Sequence, residues 1–158
     1  MSMKKTTLGL AVLLSIGVML TGCGDDKKEA PQSDAKPAAQ AVSVDLTGAK
    51  DGTFAADSSE HAQIGHSHVE LTIENGAIAK VVHTSFDKDG KQKDENYGAD
   101  KPEGVRKKAQ VAYKAIGSYA SQLESKKDLA KVDAIAGATI SYDQFNEAVA
   151  KAVEAAKK

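Results

Sequence analysis

The dipeptide Asn75-Gly76 constrains the fold of this chain more than any other local feature, because it separates two strand-like runs. Residues 65–74 (GHSHVELTIE) alternate in polarity and place their large apolar side chains on one face, namely Val69, Leu71 and Ile73. Asn-Gly suits a type I′ turn, whose two central residues need positive φ, so the pattern predicts a β-hairpin with a return strand over Ala77–Phe86. Apolar residues of the return strand do not alternate cleanly, which predicts a bulge or burial on both faces.

Two helices are predicted after the hairpin. The first follows Pro102 and Gly104, and a stripe of apolar residues at steps of three and four should pack it against the sheet: Val105, Ala109, Ala112, Ile116, Tyr119 and Leu123. The second is announced by a capping-box pattern at Ser141-Tyr142-Asp143-Gln144. Residues 51–54 (DGTF) predict a turn into a short strand, and the polar residues 87–101 a surface excursion. The expected fold class is α+β, a small antiparallel sheet with two packed helices.

Composition excludes several classes of function. The chain has 158 residues with 21 Lys+Arg and 22 Asp+Glu, a formal charge of −1. This balance excludes a strongly basic nucleic-acid binder, so no nucleic-acid partner is expected. A single cysteine excludes a disulfide scaffold, a multi-cysteine metal or iron–sulfur site and a CxxCH haem attachment.

The N-terminal segment is predicted to be an export signal rather than part of the fold. Two lysines precede an apolar run over Leu8–Leu20, which is too short to span about 30 Å of hydrocarbon. The run ends in Leu-Thr-Gly-Cys23, which resembles the lipobox of bacterial lipoproteins, where the cysteine is acylated, with palmitate for example, and becomes the first mature residue. We therefore expect a signal peptide over residues 1–22, a lipidated Cys23 with a flexible tether over 23–43, and one folded domain over 44–158.

The segment Val132–Ser141 (VDAIAGATIS) lies between the two predicted helices and carries the functional argument. Small residues before Thr139 allow close approach of a bulky group, and a helix N-terminus offers amide groups and a dipole to a phosphate. From these properties alone, a phosphate site and a well-packed turn into the helix are both compatible with the segment.

Residues Asp133-Ala-Ile-Ala-Gly-Ala-Thr139 resemble the Asp-x-x-(Ser/Thr/Ala)-Gly-Ala-Thr flavinylation motif of FMN-binding domains. That family includes flavin subunits of sodium-pumping NADH:quinone reductase and of the Rnf complex, and lipoproteins of extracellular electron transfer. The resemblance implies that Thr139 is the attachment residue for covalent FMN, through a phosphodiester. It also implies that Asp133, Gly137 and Ala138 form the motif read by a flavin transferase that uses FAD and Mg²⁺. Ala136 stands where many members have Ser or Thr.

Together, the resemblance and the lipobox imply an electron-transfer flavoprotein rather than a stand-alone enzyme, anchored by lipid on the extracytoplasmic side of the cell membrane. The expected donor is a membrane quinone-linked reductase and the expected acceptor is external or periplasmic. Gly24 after the cysteine would permit sorting to an outer membrane in a Gram-negative cell. The alternative is a ligand-binding or surface-antigen lipoprotein without flavin, with release of a signalling peptide from the region near residues 15–22.

Other candidate sites have simpler interpretations. His66 and His68 share a strand face close to His61, but no further ligand is identifiable, so polar-face histidines are favoured over a metal site and no metal is predicted. Asp87-Lys-Asp89-Gly90 lacks the first and twelfth ligands of a calcium loop. The charged run over residues 91–94 is expected to face solvent. Four tyrosines are candidates for stacking on a flavin ring, although core or surface packing is favoured for each: Tyr97, Tyr113, Tyr119 and Tyr142.

Overall fold

A computed structural model describes residues 42–158. It contains three strands, β1 (Gly52–Asp57), β2 (His66–Glu74) and β3 (Ala77–Phe86), followed by a long helix α1 (Glu103–Lys126), a 3₁₀ turn (Leu129–Lys131) and a second helix α2 (Thr139–Ala156). The strands form one antiparallel sheet in the order β1-β2-β3. This arrangement confirms the α+β class. The predicted signal peptide, Cys23 and nearly all of the tether lie outside the described residues.

The hairpin joins β2 and β3 as the Asn-Gly dipeptide predicts. Asn75 and Gly76 have φ values of 51° and 72°, both in the left-handed region that a type I′ turn requires. Register shifts by one residue in β3, because Thr72 pairs with Lys80 whereas Ile73 pairs with Ile78. This bulge explains the broken alternation of the return strand, since it puts both Ile78 and Val81 on the buried face.

The core lies between one face of the sheet and the two helices. Helix α1 packs on β3, and α2 packs on β1 and β2. The buried apolar side chains come from all of these elements except β1: Val69, Leu71, Ile73, Ile78, Val81, Tyr119, Leu123, Phe145, Val149 and Val153. None of the helices in residues 42–158 has the length and apolar character needed to cross a membrane.

The polar segment between β3 and α1 is more organised than a surface excursion. Its Lys93 amide donates to the Ser85 carbonyl at 2.8 Å, which extends the edge of β3. At its other end, the Gln110 side chain donates to the carbonyls of Glu95 and Tyr97 at 2.9 and 2.8 Å and so ties the loop to α1. The expectation that residues 91–94 all face solvent is wrong at Lys93, which is only 4% exposed.

Candidate functional site

A cavity of about 700 Å³ opens where the β3–α1 loop, the first turns of α1 and the start of α2 meet. This volume lies within the range of small-molecule and cofactor sites. Three residues of the predicted flavinylation motif line it, namely Gly137, Ala138 and Thr139. The cavity is also lined by the N-terminal part of the α1 stripe, Val105, Ala109 and Ala112, together with Tyr97 from the loop. This half of the stripe therefore faces the cavity and not the sheet, unlike Tyr119 and Leu123 further along the helix.

The motif reaches the cavity through a β-turn over residues 135–138. The Ala138 amide donates to the Ile135 carbonyl at 2.9 Å, and Gly137, the third residue of the turn, has a φ of 82°. Glycine is favoured there because a turn of this kind needs positive φ at that position. A Cβ on Gly137 would make only ordinary contact with Val111, at 3.5 Å, so the backbone conformation, rather than lack of space, selects glycine.

Two buried tyrosines hold this turn in place. The Tyr119 hydroxyl accepts from the Ile135 amide and donates to the Ala138 carbonyl, both at 3.2 Å, and thereby bridges the two ends of the turn. The Tyr142 hydroxyl donates to the Val132 carbonyl at 3.0 Å. Both side chains are buried, with their rings edge to face at 5.5 Å. Tyr119 and Tyr142 therefore support the motif from the core of the domain. Among the four tyrosines, only Tyr97 lines the cavity.

Helix α2 begins at Thr139, two residues before the predicted capping box, with Ala138 at its N-cap position. The capping-box prediction is wrong, because Ser141 lies inside the first turn and the Gln144 amide instead donates to the Gly65 carbonyl at 2.5 Å. No side chain caps this helix in the described structure. The amides of the first turn have no acceptor within the helix, so they leave a set of N–H donors at the positive end of the helix dipole beside the cavity.

The Thr139 side chain is half-buried and lines the cavity. Its hydroxyl makes no hydrogen bond to any residue in the described range 42–158. Thr139 is therefore a hydroxyl without a structural partner, placed at an uncapped helix start.

Asp133 lies apart from the cavity on the surface. Its carboxylate is 72% exposed and pairs with the Lys126 ammonium at 2.7 Å, while its amide donates to the Gln122 side chain at 2.9 Å. The structure thus brings together Gly137, Ala138 and Thr139 but not Asp133. An exposed carboxylate at this position is accessible to another protein, in keeping with a recognition role, which stays a prediction.

Four lysines and four aspartates line the cavity, so its formal charges balance. Two of its lysines are paired with adjacent carboxylates, Lys88 with Asp89 and Lys101 with Asp100. Lys108, which extends from α1 into the cavity wall, has no ion pair within the described part of the chain. A free ammonium and an uncapped helix start that line the same cavity both favour an anionic group there.

The rim of the cavity is apolar. Val105 and Ile140 line it and are 52% and 39% exposed, and Val111 lies beside Gly137 with a similar exposure. These are three of the four exposed large aliphatic side chains in residues 42–158. Their clustering at one opening indicates a surface that meets an apolar group.

The remaining candidates do not form a site. His66 and His68 lie half-exposed on the outer face of the sheet, where His68 bonds to Asp57 at 2.7 Å and His66 stacks on Phe86. Within residues 42–158, no group of His, Cys, Asp or Glu is arranged to hold a metal ion. The Asp87 carboxylate accepts from the amides of Asp89 and Lys91, both at 2.9 Å, which is the pattern of a tight turn.

Sequence reasoning missed a buried polar cluster beside the cavity, formed by Lys93, His83, Ser67 and Ser85. The His83 Nδ1–H donates to the Ile116 carbonyl at 3.0 Å, which leaves Nε2 to accept from the Ser67 hydroxyl at 3.0 Å. Burial, mainly, lowers the pKa of His83 to about 4, so the imidazole is neutral at pH 7. Once the bulge is placed, alternation along β3 puts His83 and Ser85 on the buried face together with Val81, so their burial could have been predicted. The sequence of the charged run over residues 91–94 does not show that Lys93 is buried whereas Lys91 is exposed.

The comparisons with known proteins concern the family and the fold. A family model described as the FMN-binding domain matches residues 64–154, a range that includes the motif turn and all of the residues that line the cavity except Gln63. The chain is also similar to a crystal structure of the CPE2226 protein from Clostridium perfringens, with a TM-score of 0.53 and 20% identity over 69% of this chain and 89% of that one. That likeness concerns the fold alone. Curated proteins give no match. Because the family model covers more than half of the sequence, the chain belongs to the FMN-binding domain family.

Proposed function

We propose that this flavin-binding protein carries FMN covalently, through a phosphodiester to Thr139, and acts as a lipid-anchored electron carrier on the extracytoplasmic side of the membrane. One observation carries the proposal: the unpartnered Thr139 hydroxyl stands at an uncapped helix start inside a cavity of cofactor size. A phosphate joined to that hydroxyl would lie where the amides of the first turn of α2 are free to donate to it.

Attachment requires a nucleophilic oxygen that can reach the flavin phosphate. In the proposed step the Thr139 hydroxyl oxygen forms a bond to the FMN phosphorus of FAD, the bond between the two phosphates breaks, AMP leaves and the hydroxyl proton passes to solvent. A separate FMN transferase with Mg²⁺ would supply the catalytic groups for this step. The chain itself supplies the hydroxyl, the turn that presents it and the exposed Asp133 for recognition.

The rest of the cavity suits the cofactor. Val105, Ala109 and Ala112 on α1 give an apolar wall for a flat aromatic ring, and Tyr97 adds an aromatic side chain to the same cavity. Lys108 provides a cation for the phosphate end. When bound, FMN supplies one- or two-electron transfer, so the chain needs to provide attachment, orientation and electrostatic tuning rather than a catalytic triad.

The proposed export and lipid anchoring are supported by the sequence of the N-terminal segment. The apolar run over Leu8–Leu20 and Cys23 favour export and lipid anchoring, and the polar residues after the cysteine favour a tether. A covalent cofactor would not diffuse away from an exported domain. We propose a membrane quinone-linked reductase as donor and an external or periplasmic acceptor. Radiolabelled palmitate on the protein but not on Cys23→Ala, with loss of the variant from the membrane fraction, would support the anchor.

Intact mass and in-gel flavin fluorescence under denaturing conditions test the linkage directly. The protein is incubated with a flavin transferase, FAD and Mg²⁺ beside three variants. We expect a fluorescent product about 438 Da heavier than the polypeptide, equal to FMN less one water. Thr139→Ala should abolish it, Thr139→Ser should retain it and Ser141→Ala, the matched control in the same helical turn, should also retain it. Fluorescent Thr139→Ala protein of the heavier mass would contradict the assignment of Thr139.

A cellular assay tests electron transfer separately. In flavin-replete cells, Thr139→Val should slow electron delivery to the external acceptor. Identical kinetics for both proteins would refute the electron-carrier role, even if the flavin mass were found.

A further inference from the structure

Lys93 is a buried cation without a hydrogen-bonding partner. Its Nζ atom is shielded from solvent and has no hydrogen-bond acceptor in the described part of the chain. The backbone amide is fixed to Ser85 on β3, so the side chain is held beneath the loop that forms the cavity wall. An isolated ammonium in such a place is costly, because its lost hydration is not replaced by a counter-charge.

The groups around Lys93 do not neutralise it. Both nitrogens of the neutral His83 on β3 are already used by Ile116 and Ser67. The Asp87 carboxylate acts only at longer range, and its attraction opposes the burial that lowers the pKa of Lys93 to about 8. A smaller cavity of about 490 Å³ adjoins Lys93 and is lined by further charged or titratable residues of the loop and of α1: Asp94, Glu95, Tyr113 and Lys114.

The Lys93 ammonium contacts a ring that lines the proposed FMN cavity. Nζ lies 5.1 Å from the centroid of the Tyr97 ring, a cation–π distance. Tyr97 and both chain neighbours of Lys93, Gln92 and Asp94, line the cavity that contains Thr139. One side chain therefore separates the buried cation from the cavity. A negative charge that appears in the cavity would add to the longer-range attraction of Asp87, which does not offset the burial of Lys93.

We propose that Lys93 stabilises the reduced, anionic state of FMN in this cavity and so raises its reduction potential. The inference rests on the proposed function, because it needs a flavin in the cavity. Oxidised FMN gains two electrons from a quinol-linked donor, or from dithionite in the test, and one proton from water, so its ring acquires one negative charge. Lys93 holds its own proton throughout, and its attraction across Tyr97 is weakly screened because the Lys93 ammonium is shielded from solvent.

Redox titration of the FMN-loaded protein tests this role, with Lys93→Met compared with Lys91→Met. Lys91 also lines the cavity but is exposed, so it controls for the loss of one lysine from the same loop. At a fixed applied potential, we expect Lys93→Met to lower the ratio of reduced to oxidised flavin by about tenfold, a shift of about 30 mV for a two-electron couple, at both low and high salt. The Lys91→Met shift should be smaller and should disappear at high salt. Lys93→Arg should remain close to the parent protein.

A second readout separates tuning from a structural role. Removal of an unpaired buried charge should leave the midpoint of chemical unfolding unchanged or higher in Lys93→Met, and Lys93→Gln serves as a smaller polar replacement if the thioether disturbs packing. An unchanged potential in Lys93→Met, or an equal shift in Lys91→Met, would overturn the inference. Flavin bound without a covalent bond would overturn the Thr139 linkage but leave this titration valid, whereas absence of any bound flavin would overturn both.

Discussion

The bridge made by the Tyr119 hydroxyl predicts that Tyr119→Phe destabilises the protein by about 1–3 kcal/mol. The substitution keeps the buried ring and its packing but removes one oxygen. The Ala138 carbonyl still accepts from the Tyr142 amide at 3.0 Å, whereas the Ile135 amide loses the only acceptor that the described structure gives it. The cost is therefore dominated by one unsatisfied backbone donor, for which about 1–3 kcal/mol is typical.

Chemical denaturation followed by circular dichroism measures this cost. Tyr113→Phe is the matched control, because the half-buried Tyr113 hydroxyl has no hydrogen bond to residues 42–158, and its loss should change the free energy of unfolding by less than about 0.5 kcal/mol. Under the proposed linkage, Tyr119→Phe should also slow flavin attachment, since the turn that presents Thr139 loses a support. Equal stability of the two variants would refute the argument that the hydroxyl, rather than the ring, holds the turn.

Two further predictions concern the turn and the buried imidazole. Gly137→Ala should cost about 1–2 kcal/mol because φ is 82°, whereas Gly104→Ala, in open space in the first turn of α1, should be neutral or stabilising by up to about 1 kcal/mol; equal effects in denaturation would contradict the backbone explanation. His83 has a folded pKa of about 4, below its unfolded value near 6.5, so the unfolded state binds more protons between these values and stability falls as pH decreases through this window. We expect this group to contribute about 3 kcal/mol over that range, and unfolding measured at several pH values should show a shallower dependence in His83→Gln. An unchanged slope in that variant would contradict a buried neutral imidazole.

The elements that could be predicted from the sequence are those with strong local signals. These are the Asn75-Gly76 turn, the strands beside it and the second half of the α1 stripe. In each of them the backbone geometry or the burial restricts which residue types can occur at each position. The sequence pattern places the N-cap of α2 at Ser141, three residues after the observed N-cap Ala138. Ser141 and Gln144 have the residue types of a capping box, but Ser141 is buried in the first turn and the Gln144 side chain donates to the Gly65 carbonyl. The prediction of Thr139 as the attachment residue comes from family resemblance and not from periodicity, and it stays a prediction.

The parts that could not be predicted depend on contacts between distant segments. Lys93 has the same type and the same neighbours as a solvated surface lysine, and its burial follows from the attachment of the loop to β3 and α1. The support given by Tyr119 and Tyr142 likewise depends on how two helices meet around one turn. Aromatic residues at helical spacing predict burial, but they do not show which backbone groups their hydroxyls contact.

The Tyr119 hydroxyl also predicts how fast the backbone amides of the motif exchange with solvent. The Ile135 amide donates to the hydroxyl of the buried Tyr119. We therefore expect its hydrogen to exchange with solvent only when α1 and α2 separate, so that it belongs to the slowest-exchanging amides of the protein. The neighbouring Ala136 and Gly137 are exposed at the tip of the same turn and should exchange far faster. The motif turn therefore combines an exposed tip with ends that share the stability of the whole domain, so a protein that docked at the tip would not need to open the core.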